Sequence, residues 1–285
     1  GSIDKKIMMI TKNIPISIST SRITVFTAAV VAVVVVAVKR SIQTKNKKTI
    51  PKPNPKTKTK PSGHFNVGVV GATGAVGMEL FRVMKDRKFP ARSLRAFATA
   101  KSVGTMVADN VSVETFTLGA AREMDVVFLA ASNAFAEEWA NRIAADDGPL
   151  VIDNSAHFRH SKNVPLVIPE INGHECQKNA RIIANPNCTT SIAMVAVAPL
   201  HRTFRLRRVI MSTYQAASGA GAGGIRELER GDVQRSTVFP HPLPFNAIPH
   251  IDAFQGNGYT KEEMKVVWET RRILNEPNLP ISCTC

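Results

Sequence analysis

Phe65-Asn-Val-Gly-Val-Val-Gly-Ala-Thr-Gly-Ala-Val-Gly77 decides the fold. Phe65–Val70 is a β-branched apolar run, the pattern of a strand buried on both faces. Glycines follow at once, and Val76–Met84 then carries helical periodicity. A strand that turns through small residues into a helix gathers backbone N–H groups and the positive end of a helix dipole at one point, where a pyrophosphate can sit. Such a turn also serves as a plain strand–helix connection, but here the flanking elements are those the phosphate-binding form requires. Gly71, Thr73, Gly74, Ala75 and Val76 are therefore the candidate cofactor-binding residues of this turn.

Outward from it, Leu94–Phe97, Val111–Phe116, Asp125–Ala130 and Leu150–Asp153 read as further strands, and Ala134–Ala145 reads as a helix. Strands alternating with helices predict a parallel sheet with crossovers. The fold class is α/β, with a Rossmann-like dinucleotide-binding domain over residues 64–187. A second, α+β domain is expected over 188–285. In it Cys188–Leu200 reads as helix, Val209–Tyr214 as strand, Gly219–Gly224 as a glycine loop opening a helix around Ile225–Arg230, and Thr260–Leu274 as an amphipathic helix. Arg226, Glu227, Glu229 and Arg230 read as a solvated helix face. The chain stops at Cys285 as another strand begins, so this domain is expected to be truncated and the chain a fragment.

The charge is unevenly spread. Of a net +15, residues 1–65 hold thirteen Lys/Arg against the single acid Asp4. The body is nearly neutral, which disfavours a nucleic-acid-binding footprint over the whole protein. The basic leader, 1–63, includes a sixteen-residue apolar run, Ile23–Val38, closed by Lys39 and Arg40. That is short of the ~20 residues of a membrane span, so a membrane role is disfavoured. The acid-poor, Ser/Thr-bearing leader suits a transit peptide and a plastid location, while its apolar run also suits a secretory signal or a short anchor. Thr44–Ser62 reads as a solvated linker. Four cysteines in 285 residues make no disulfide scaffold.

A dinucleotide site commonly places an acid after its second strand to hold the ribose hydroxyls. Here that place reads Phe97-Ala-Thr-Ala-Lys-Ser102, with no carboxylate. Thr99, Lys101 and Ser102 suit a 2′-phosphate, which favours NADP over NAD; the alternative is a solvated lysine at a loop tip. Asn185-Pro-Asn-Cys-Thr189 puts Cys188 where a helix begins. A helix N-terminus stabilises a thiolate and lowers its pKa, which would suit an acyl-accepting nucleophile. The other reading of Cys188 is a small buried hydrophobe.

Six blocks occur in order: Val67–Gly77, Val151–Ser155 with Phe158 and Arg159, Val164–Asn172, Asn185–Thr189, Ser212–Gly221 and Tyr259–Lys265. Together they resemble the aspartate-semialdehyde dehydrogenases, over about Phe65–Cys285. The resemblance implies an NADPH-dependent oxidoreductase of amino-acid biosynthesis, serving lysine, threonine, methionine and isoleucine. Its second domain would be catalytic and dimerising, and the protein a homodimer or homotetramer. The reaction would reduce L-aspartyl-4-phosphate to L-aspartate-4-semialdehyde through a cysteine thioester. It implies that Cys188 is the nucleophile and that Gln215 orients the acyl group. Arg159 and Lys265 would hold the phosphate with Asn187 beside it, and Glu262 would receive the α-ammonium. No metal is implied. The family's general-base histidine and carboxylate-clamping arginine fall in a block expected after Cys285, and none of the seven histidines matches that base. His157 and His250 read as surface or packing residues, and Cys283 and Cys285 as core strand residues. The rival readings are an N-acetyl-γ-glutamyl-phosphate reductase, which Glu262 disfavours, and a truncated, non-catalytic nucleotide-binding remnant, which the missing base and clamp keep open because the chain as given would not turn over without them.

Overall fold

A computed structural model describes residues 65–176 and 180–285. The leader 1–63, with its transit-peptide, anchor and linker readings, lies outside the described residues. The first part of the chain runs β1 (Phe65–Val70), α1 (Ala75–Asp86), β2 (Ala91–Ala98), β3 (Met106–Ala108), β4 (Val111–Thr115), α2 (Leu118–Arg122), β5 (Val126–Leu129), α3 (Asn133–Ala144), β6 (Leu150–Asp153), α4 (Pro169–Asn172) and β7 (Ile182–Ala184). These strands form one seven-stranded sheet in the order β3-β4-β2-β1-β5-β6-β7. Every neighbouring pair is parallel except β3 with β4.

The apolar runs are buried because helices cover both faces, as parallel sheets require. Alternate residues of β1 serve opposite sides. Val67 and Val69 pack with Leu80, Phe81 and Met84 of α1. Val70 joins Val127, Leu129 and the Ala136, Ala140 and Ile143 face of α3. The chain moves outward from β1 to β2 and β4, then returns to β5 on the other side of β1. That reversal opens a crevice at the carboxyl ends of β1 and β5, the place where doubly wound sheets bind ligands. The glycine turn stands there.

The second part runs α5 (Cys188–Phe204), β8 (Val209–Ser212), α6 (Gly221–Arg230), α7 (Lys261–Leu274) and β9 (Ile281–Thr284). β8 and β9 pair in parallel, with Val209 opposite Ile281 and Met211 opposite Cys283. α7 begins with a capping box: Thr260 Oγ1 accepts from Glu263 N at 3.2 Å, and the Glu263 carboxylate accepts from Thr260 N at 2.7 Å. It ends at Asn275 in the left-handed conformation (φ 55°). Between these ends Val266 and Val267 pack on β9, while Ile273 joins Ile168 and Met194 in the core beneath the large sheet.

Two expectations fail here. Gly221–Gly224 are not an open loop; they form the first turn of α6, after a 3-10 turn over Ala217–Ala220. A Cβ on Gly224 would stand 2.4 Å from Ala217 O, so close helix packing explains that glycine. Nor is Glu227 part of a solvated face. It is 1% exposed, and its carboxylate accepts from Ser236 Oγ, Thr237 N and Oγ1, and Val238 N. Those bonds, led by Ser236, hold its pKa down at about 2 and pin the 236–239 segment to α6. Arg226, Glu229 and Arg230 are exposed as expected.

Candidate active site

Cys188 opens α5, and the residue before it organises the site. Asn187 is the N-cap: its Oδ1 accepts from Thr189 N (2.9 Å) and Thr190 N (3.2 Å). Its Nδ2 donates to Glu262 Oε1 at 2.9 Å, and Gln215 Nε2 donates to the same oxygen at 3.1 Å. Glu262 Oε2 accepts from Lys265 Nζ at 3.1 Å, one helical turn along α7, and Lys265 also reaches Asp252 at 2.8 Å. A cavity of about 910 Å³ is lined by Cys188, Asn187, Gln215, Arg159, Glu262 and Lys265, and also by Val76 of the glycine turn. Sequence positions 76 to 265 thus converge on one space.

Arg159 stands on the turn after β6 and is 8% exposed. Its Nη1 donates to Glu269 Oε1 at 3.3 Å and its Nη2 to Asn154 O at 3.0 Å. Its Nε is buried without a partner among the described residues. A buried donor left unmade is costly, and an anion in the cavity would satisfy it.

Glu269 escaped the sequence reading. It is 1% exposed, and its second oxygen accepts from Asn187 N at 2.6 Å. One carboxylate therefore holds both Arg159 and the peptide that precedes the nucleophile. The signal was present in the helix period: Glu262, Lys265 and Glu269 fall at i, i+3 and i+7 of α7, a single stripe. Asn154 and Asp252 were missed too, and loop acids and amides carry no periodicity to find them by.

The expected lowering of the Cys188 pKa does not hold. Burial pushes the thiol up, and the Glu262 carboxylate pushes it further; Thr189 and Arg159 oppose them without prevailing. The helix start has little left to offer a thiolate. Asn187 N is taken by Glu269, Thr189 and Thr190 N by the Asn187 side chain, and Ser191 N by Asn187 O. Lys265 is desolvated, yet its bonds to Asp252 and Glu262 leave its pKa raised, so it is a firm cation.

The glycine turn fits a nucleotide. Gly71 has φ +78°, and a Cβ there would stand 2.2 Å from Ala130 O. Gly74 caps α1 without a side chain, leaving the Ala75 and Val76 amides unpaired among the described residues. Gly71 N donates to Phe97 O at 2.9 Å, which ties the turn to the end of β2. Thr99 caps the 3-10 turn Ala100–Ser102 just beyond, and Lys101 is exposed. These three residues flank the turn and do not line the cavity. His250 packs on Phe254 at 4.5 Å between ring centroids, as expected of a packing residue, but it also lines the cavity. His157 stands edge-on to Phe158.

Residues 66–179 match the model of the semialdehyde dehydrogenase NAD-binding domain, and 197–285 that of the semialdehyde dehydrogenase dimerisation domain. The aspartate-semialdehyde dehydrogenase of Aquifex aeolicus is 39% identical over 237 residues, covering 78% of this chain and 69% of that protein. The chain belongs to the aspartate-semialdehyde dehydrogenase family. The Campylobacter jejuni aspartate-semialdehyde dehydrogenase is 43% identical over 235 residues, covering 77% of this chain and 68% of its own length. Among solved structures, aspartate semialdehyde dehydrogenase II of Vibrio cholerae, complexed with ASA, superposes with a TM-score of 0.73 at 38% identity, over 79% of this chain and 70% of that one. Membership in the aspartate-semialdehyde dehydrogenases makes the protein an oxidoreductase with a Rossmann-type nucleotide-binding domain.

Proposed function

We propose that the chain carries out the NADPH-dependent conversion of L-aspartyl-4-phosphate to L-aspartate-4-semialdehyde through a thioester on Cys188, as a homodimer or a pair of such dimers. The observation that carries this reading is the convergence of Cys188 with Glu262, Lys265 and Arg159 on one cavity. An acyl phosphate with a free amine needs a nucleophile, cations for the phosphate and an anion for the ammonium, and the cavity offers all three. Arg159 Nε and Lys265 Nζ take the phosphate. Glu262 takes the ammonium, at the same stroke removing the charge that opposes a Cys188 thiolate. Gln215 is then released from Glu262 to orient the acyl oxygen. The Cys188 N–H is the first-turn amide without an acceptor among the described residues, and it supplies an oxyanion donor. Cys188 Sγ attacks the acyl carbon and phosphate leaves with the C–O bond electrons. NADPH, when bound, supplies the hydride that reduces the thioester. The free amides of Ala75 and Val76 would hold its pyrophosphate, and Thr99, Lys101 and Ser102 would hold its 2′-phosphate.

An acetylated amine carries no charge for Glu262, so the N-acetyl-γ-glutamyl-phosphate reductase reading is disfavoured. The test is phosphate-dependent reduction of NADP with L-aspartate-4-semialdehyde against N-acetyl-L-glutamate-5-semialdehyde. The first should be preferred, and Lys101→Ala should weaken NADPH about tenfold while leaving NADH nearly unchanged. Preference for the acetylated substrate, or equal losses for both cofactors, contradicts the reading.

A further inference from the structure

Cys283 and Cys285 take no part in the chemistry assigned to Cys188. Alternate residues of an extended chain face the same side, so Cys283 of β9 and Cys285 just past its end both turn toward α7, among Val266, Val267 and Met211. They are 1% and 6% exposed. Their sulfurs are 3.6 Å apart, in contact and reduced. The pair is not sealed, because Cys285 lines the cavity that also holds Cys188. A small oxidant that enters that cavity meets the Cys285 sulfur, with a second thiol directly behind it.

We propose that Cys283 and Cys285 are an oxidisable dithiol, a modification site that takes hydrogen peroxide and closes to an intrachain disulfide. The Cys285 sulfur attacks one peroxide oxygen; the O–O bond breaks, Cys285 becomes a sulfenic acid and one water leaves. The Cys283 sulfur then attacks the Cys285 sulfur. The S–O bond breaks, and hydroxide departs with the Cys283 proton as a second water. The two thiols lose two electrons together, and the peroxide is reduced to water. The order of attack follows from access: Cys285 lines the cavity and Cys283 does not. The Cys283 sulfur stands 3.6 Å behind that of Cys285, placed for the second step.

The strand determines how the disulfide behaves. At a rise of ~3.3 Å per residue, Cα atoms two apart lie ~6.6 Å from each other, near the upper end of the disulfide span. The bond closes under strain and is readily reduced. Its effect reaches the active site through the backbone as well as the cavity wall. Cys285 N donates to Glu263 Oε1 at 3.2 Å, and Glu263 closes the capping box that starts α7. Drawing the sulfurs together pulls on that turn, beside Glu262 and Lys265.

The test uses the full, folded chain. Treat it with one equivalent of hydrogen peroxide, alkylate the remaining thiols and digest with trypsin. The peptide Ile273–Cys285 contains both residues and no other cysteine. It should come out lighter by two hydrogens and unalkylated, and dithiothreitol should restore it, while Cys188 is still alkylated. Cys283→Ser should stall at a Cys285 sulfenic acid that dimedone traps; if that variant does not fold, the wild-type peptide decides alone. The proposal is overturned by a Cys285 sulfinic acid beside an alkylatable Cys283, by a Cys285–Cys188 disulfide, or by both thiols staying alkylatable after Cys188 has been oxidised.

Discussion

At the scale of the residue, Cys188 is held back by its own surroundings. Burial and then Glu262 raise its pKa, so the thiol stays protonated to higher pH than a free cysteine. A raised acid pKa means that reactivity appears only as pH climbs through the shifted value. The alkylation rate of Cys188 by iodoacetamide, followed on its own peptide, should therefore show a midpoint above ~8.5, the free-thiol value. Glu262→Gln removes the second cause and should move that midpoint down. An unmoved or higher midpoint in the variant would mean that the carboxylate does not act on the thiol. The sequence placed Cys188 at a helix start correctly and drew the wrong sign from it. A helix end favours a thiolate only through amides that are still free, and the Asn187 cap and Glu269 had already used most of them. No sequence pattern counts amides that have been spent.

At the scale of the element, α7 joins the two parts of the site. Its Glu262, Lys265 and Glu269 stripe faces the start of α5 and Arg159 together, so one rigid helix sets three distances at once. Glu269 is the inner anchor. Burial pushes its carboxyl up while Arg159 and the Asn187 amide pull it down. Glu269→Ala would strand Arg159 as a buried charge without its counter-ion, a loss expected at about 3–5 kcal/mol. Glu269→Gln keeps an acceptor for Asn187 N and should lose less. Urea unfolding of both variants, beside phosphate binding at Arg159, checks this; an alanine variant as stable as the parent would show that the anchor carries no weight. The long elements, β1 with α1 and α7 itself, were legible because their periodicity spans many residues. β3 and β7, at three residues each, left no period to read. The glycine run 221–224 was misread because helical glycines chosen for close packing look like loop glycines in one dimension.

At the scale of the whole molecule, α5 buries one side and leaves another bare. Ile192 and Val195 are exposed by about two-fifths, Phe204 by 45%, and β8 adds Ile210 at 70%. Exposed apolar residues mark an interaction surface; Ile192 and Val195 are neighbours one turn apart on α5, just before the stretch that matches the family's dimerisation domain, and Phe204 and Ile210 lie within that stretch. Val195→Lys should shift the chain from dimer toward monomer in light scattering without changing its circular dichroism. A dimer that survives this change would place the interface elsewhere.

The central claim is that Cys188 accepts the acyl group in this cavity. Acylation needs Cys188 deprotonated, the cations at Arg159 and Lys265, the Glu262 and Gln215 contacts and a leaving phosphate, but no hydride, so it can be observed without any nucleotide. The chain would be mixed with L-aspartyl-4-phosphate, quenched in acid, and read for released phosphate and for the mass of the Cys188 peptide. The expected result is a burst of one phosphate per chain and an aspartyl group on Cys188, both abolished in Cys188→Ala. A burst that persists in the alanine variant, or an aspartyl group found on another residue, would contradict the account.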